Sequence, residues 1–72
     1  VTNSNRELMA DYAPAVKRLL AQAGCEFVRH GKGDHAIWRS PLTRRHFVVD
    51  SRIKSRHTAN EVLKQAGIPK AF

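Results

Sequence analysis

Cysteine is all but absent from this chain. Cys25 stands alone among 72 residues, so no disulfide can form within the molecule and a packed core has to hold the fold. A single unpaired thiol suits a reducing compartment, and a cytoplasmic location is expected. Long apolar runs are missing as well. Nothing approaches the roughly 20 residues that cross a bilayer, which excludes a membrane-spanning helix and gives no reason to expect a membrane partner. Glu7 and Asp11 break the basic-then-apolar pattern that a signal peptide needs. Neither a Cys-x-x-Cys nor a His-x-x-x-His spacing occurs, so no metal site is expected, and no motif asks for a small-molecule cofactor.

Negative charge is the other scarcity. Six Asp and Glu face thirteen Lys and Arg, a net charge of +7 with the histidines neutral, and the isoelectric point is about 10.6. In so small a chain this excess implies a polyanionic partner. Eight of the thirteen cations (Arg29, Lys32, Arg39, Arg44, Arg45, Arg52, Lys54 and Arg56) share one window with only Asp34 and Asp50. Aromatic and histidine side chains are interleaved with them, a mixture suited to phosphates and stacked bases.

What is present reads as a folded globule. Hydrophobic residues make up 42% and charged residues 26%, ordinary values that exclude a disordered tail as the whole account. The length allows one domain with a single small core. From Asp11 to Gly24 the apolar residues Tyr12, Val16, Leu19, Leu20 and Ala23 recur at helical spacing, with Asp11 placed to cap and Pro14 tolerated in the first turn. A second helix is predicted from the capping box Thr58-Ala-Asn-Glu61, with Val62, Leu63 and Ala66 as its apolar side. Leu20-Ala-Gln-Ala-Gly24 and Leu63-Lys-Gln-Ala-Gly67 read as one helix ending used twice, each closed by a glycine in left-handed backbone.

Three strand-like runs lie between the helices: Cys25 to His30, His35 to Ser40 and Arg45 to Asp50. Gly31-Lys-Gly33 and Ser40-Pro-Leu-Thr-Arg44 make the turns. The order α-β-β-β-α predicts an α+β fold, a three-stranded antiparallel sheet with two helices on one face and the other face open.

Four histidines offer proton transfer near neutral pH. His35 stands out because it follows Gly31-Lys-Gly-Asp34, a turn whose backbone amides, Gly33 among them, and lysine could hold a phosphate. Cleaving RNA requires a group that moves the proton of a 2′-hydroxyl or of the leaving 5′-oxygen, and positive charge on the phosphoryl oxygens. His35, Lys32 and Arg39 could supply these together. His30 is expected to face solvent, His46 to line the open sheet face, and His57 to touch a phosphate or nothing. Cys25 and Trp38 are read as core, Trp38 in preference to a base-stacking platform.

Leu19-Leu-Ala-Gln-Ala-Gly-Cys-Glu-Phe27, Gly31-Lys-Gly-Asp-His35 and Thr58-Ala-Asn-Glu-Val-Leu-Lys-Gln-Ala-Gly-Ile68 together resemble the HicA family of bacterial toxins, over about Val16 to Ile68. The resemblance implies a fold like that of double-stranded-RNA-binding domains, cleavage of mRNA without a metal, and neutralisation by a HicB antitoxin. The family's essential histidine matches His35. Where the family commonly has serine before that histidine, Asp34 stands here, and it either orients the imidazole or repels the RNA phosphate. Residues 1–8 lie outside the resemblance and are expected to form a flexible extension, leaving 9–72 as the toxin domain.

The reading is thus an endoribonuclease toxin that cuts mRNA and blocks translation, with His35 catalytic and Lys32, Gly33, Arg39, Arg44, Arg45, Lys54 and Arg56 binding RNA. A non-catalytic RNA-binding module of the same fold is the alternative, and a basic protein with only an acidic protein partner is a third.

Overall fold

The computed structural model describes residues 11–72. The expected extension over residues 1–8 therefore lies outside the described residues. Helix α1 (Ala13–Gln22) leads into strands β1 (Glu26–His30), β2 (His35–Arg39) and β3 (His46–Asp50), and helix α2 (Arg56–Gln65) follows. The strands form one antiparallel sheet in the order β1-β2-β3. This is the predicted α-β-β-β-α architecture.

The α1 stripe does what its spacing requires. Val16 and Leu20 are fully buried, while Tyr12, Leu19 and Ala23 pack against the core from its margin. Asp11 serves the helix start from one residue outside the cap position, which Tyr12 occupies without a side-chain bond. The Asp11 carboxylate accepts from the Ala13 N–H at 3.0 Å and from the Ile53 N–H at 2.9 Å. The Tyr12 N–H donates back to the Ile53 carbonyl, so the helix start is clasped to the segment between β3 and α2.

The start of α2 departs from expectation. Its cap is Ser55, whose hydroxyl accepts from the Thr58 N–H at 3.3 Å, so Thr58 and Glu61 lie inside the helix instead of forming the capping box. Ser55 offers the same hydroxyl acceptor three residues earlier, and the added turn of Arg56, His57 and Thr58 is exposed, ahead of the buried Ala59, Val62, Leu63 and Ala66.

Both helix endings are the same device, as the repeated Gln-Ala-Gly suggests. The Gly24 N–H reaches the Ala21 carbonyl and the Cys25 N–H reaches that of Leu20; Gly67 and Ile68 repeat this onto Lys64 and Leu63. Gly24 and Gly67 take the left-handed backbone this needs, at φ +89° and +82°.

On β3, Phe47 and Val49 are buried against the helices while Val48 between them is exposed. Both helices therefore cover one sheet face. Cross-strand register puts Ala36 and Trp38 on the covered face with Val49 and Phe47. Cover thins toward β1, where Phe27, opposite Trp38, stays 47% exposed. Cys25 is buried as expected, and Trp38 packs at the core's edge. Among the described residues no helix is long and apolar enough to cross a membrane.

Candidate functional site

The uncovered face is assembled by the register of three short strands. His35 opposes Asp50, Ile37 opposes Val48, and Arg39 opposes His46, all on the face away from the helices. A bulge brings β1 into this set. Phe27 pairs with Trp38, but the next paired residue, Arg29, meets Ile37, so Val28 is extra and Arg29 turns to the open face. The apolar centre of the face is Val28, Ile37 and Val48, and Arg29 and His46 line the same shallow groove.

His35 opens β2 directly after the Gly31–Asp34 turn, which is closed by the Gly31 N–H donating to the His35 carbonyl and the His35 N–H donating to that of Lys32. Its Nδ1 lies 2.5 Å from an Asp50 carboxylate oxygen. Both side chains are about half exposed, at 49% and 48%. Among the described residues the other ring nitrogen, Nε2, has no hydrogen-bond partner. A carboxylate on one nitrogen and an open second nitrogen make a group that can take up or release a proton toward a bound molecule. Asp34 makes no such contact. The carboxylate in contact with His35 is that of Asp50, fifteen residues away in sequence.

The sequence-derived candidates divide between the two ends of the sheet. At the His35 end, Lys32 and Gly33 are exposed in the turn; Lys54 follows β3 beyond the buried Ile53, and Arg56 opens α2, where it lines a groove with His57, Asn60, Lys70 and Phe72. Arg39 stands four residues along β2, roughly 13 Å at the rise of a strand, beside His46. Arg44 and Arg45 lie past it in the β2–β3 turn, exposed, with Arg44 in left-handed backbone at φ 60°. Lys32 and His35 are thus brought together, and Arg39 is not.

Two residues of this face were not singled out by sequence reasoning. Asp50 is visible only once the β2–β3 register is known. Arg29, diagonal to both His35 and Arg39 at roughly 7–8 Å, is hidden by the bulge, because simple alternation from Phe27 assigns it to the covered face. The remaining histidines fall as expected: His30 is exposed beside Phe27, and His46 lines the open face. His57 is exposed in the first turn of α2.

No curated protein and no solved structure gives a significant match to the chain. The family model described as "HicA toxin of bacterial toxin-antitoxin" matches residues 14–68, well over half of the chain, which therefore belongs to the HicA family of toxins from bacterial toxin–antitoxin systems.

Proposed function

We propose that this toxin is a metal-independent endoribonuclease acting on mRNA in the cytoplasm, with His35 as its proton-transfer group. The observation that supports the reading is the His35–Asp50 pair, half exposed on the one sheet face that neither helix covers. On this reading Nε2 of His35 takes the proton of a ribose 2′-hydroxyl. The freed oxygen attacks the adjacent phosphorus, and the bond to the 5′-oxygen breaks. The proton held on His35 then passes to that leaving oxygen, so no proton is gained or lost overall and a 2′,3′-cyclic phosphate remains.

Lys32 and the turn amides, Gly33 included, bear on the phosphoryl oxygens nearest His35, where negative charge grows in the transition state. Lys54 extends the cationic surface beyond β3, and Arg56 adds positive charge at the start of α2. Arg39, Arg44 and Arg45 hold phosphates further along the strand. A partner of a toxin of this kind is an antitoxin; a HicB-type acidic protein laid over the same face would both complement its charge and bar RNA from His35.

The test is a cleavage assay with the purified chain in EDTA on two oligonucleotides of one sequence, all-ribose and all-2′-deoxy. The ribose strand should be cut and carry cyclic phosphate ends, and the deoxy strand should survive. Binding of the ribose strand without cleavage would leave a non-catalytic RNA-binding module.

A further inference from the structure

We infer that Asp50 is the positioning residue of the site: its carboxylate holds the Nδ1 proton of His35 and so makes Nε2 the nitrogen that exchanges protons with the substrate. The inference rests on the reading of His35 as the proton-transfer group.

The pair is built by the sheet. His35 and Asp50 are register partners at the ends of β2 and β3, so their backbones are held side by side by the ladder itself. Each has a short side chain with two rotatable bonds, and neither needs a long excursion to meet the other. An ionised carboxylate can only accept hydrogen bonds, so the ring nitrogen against it must carry a hydrogen. That holds in both protonation states. Neutral His35 then has its hydrogen on Nδ1 and its lone pair on Nε2, ready to take a proton; charged His35 keeps the Nδ1 bond and offers the Nε2 proton.

In water a neutral imidazole favours the opposite tautomer, with Nε2 protonated and useless as a base. Asp50 reverses that preference and also fixes the direction of the ring. The two exposed carboxylates near His35 are therefore not equivalent. Asp34 sits next to it in sequence but in the turn, where it has no hydrogen bond to the ring; Asp50 has one.

Asp50 also carries negative charge on a surface proposed to hold RNA. Removing that charge should help binding even as it harms chemistry, because phosphates near it are repelled. A residue that merely stabilised the fold would lower both together.

The experiment compares the full chain with Asp50→Ala and Asp50→Glu, using nitrogen-15 NMR of the imidazole without RNA and steady-state cleavage of a ribose oligonucleotide. The amide spectrum recorded on the same samples checks that each variant is folded. In the parent, neutral His35 should be the Nδ1-protonated tautomer. Alanine at position 50 offers Nδ1 no acceptor, so that variant should revert to the Nε2-protonated form that imidazole favours in water. Its kcat should fall at least about 10-fold, short of the roughly 10²–10⁴-fold that acid–base catalysis supplies in full, while KM stays level or drops. Asp50→Glu should restore the parent tautomer and part of the rate.

An unchanged tautomer in folded Asp50→Ala would overturn the inference whatever the cleavage rates. So would a switched tautomer with an unchanged kcat. A switched tautomer in a chain whose parent cuts no RNA would instead overturn the ribonuclease reading and, with it, the catalytic part of the inference, while the hold of Asp50 on the ring would stand as measured.

Discussion

Ser40 shows how much one small polar residue can organise. It is fully buried at the end of β2, and its hydroxyl donates to the Ala66 carbonyl at 2.6 Å while accepting from the Leu42 N–H at 3.1 Å. One atom thereby ties the β2–β3 turn to the closing turn of α2. Replacing it with alanine strands a buried carbonyl and a turn amide, and a desolvated group without a partner costs about 1–3 kcal/mol. Ser40→Ala should lower the urea midpoint accordingly with the slope unchanged. Asp11 makes a different kind of contribution. Hydrogen bonds from the Ile53 and Ala13 amides hold its carboxyl below the ordinary value. A folded-state pKa below the unfolded one means stability that is present above about pH 4, the unfolded value, and lost as pH falls through the folded value. Asp11→Asn, which keeps the acceptor oxygen but cannot titrate, should be less stable than the parent at neutral pH. The gap should close in denaturation curves taken below about pH 4.

At the scale of elements, the two helix endings share one hydrogen-bond pattern but differ in their surroundings. A Cβ built at Gly67 would lie 3.0 Å from Thr43 and 3.2 Å from Leu42, whereas at Gly24 the nearest atom is Pro41 at 3.4 Å. Both glycines carry the left-handed penalty of about 1–2 kcal/mol for an alanine, but only Gly67→Ala adds a steric conflict with the β2–β3 turn. It should therefore lose more thermal stability than Gly24→Ala, and equal losses would mean that the turn yields freely. The two endings were legible in the sequence because Gln-Ala-Gly carries its reason locally. The α1 stripe, the strand order and the turns were legible on the same ground. The start of α2 was misplaced by a turn because two hydroxyl residues, Ser55 and Thr58, compete for one cap, and residue type alone does not choose between them. The β1 bulge was not legible at all: an inserted residue such as Val28 shifts side chains between faces, and no pattern within one strand reveals its partner.

For the whole molecule, the net charge is +7, and Arg29, Arg39 and His46 share the open sheet face with the His35–Asp50 pair. Affinity for single-stranded RNA should fall steeply with salt, by about 0.7 logarithmic units per neutralised phosphate for each tenfold change in salt. Glutamates at Arg44 and Arg45 should flatten that slope and raise KM while leaving kcat nearly untouched, since these residues lie at the far end from His35. Lys32→Ala, beside His35, should lower kcat. If both sets of changes acted on kcat alike, the division of the surface into a reacting end and a holding end would be wrong. Charge and the Gly31–His35 turn marked the proposed reacting end from sequence, because neighbours in a turn remain neighbours in the fold. The partnership of His35 with Asp50 and the distance to Arg39 depend on strand pairing across residues far apart in sequence. The most direct measurement is single-turnover cleavage of a ribose oligonucleotide by His35→Ala beside the parent, with RNA affinity measured on the same preparations. His35 is half exposed and outside the core, so the variant should fold and bind RNA as the parent does. Its cleavage rate should drop by about 10²–10⁴-fold. Cleavage at the parent rate with binding intact would contradict a catalytic His35.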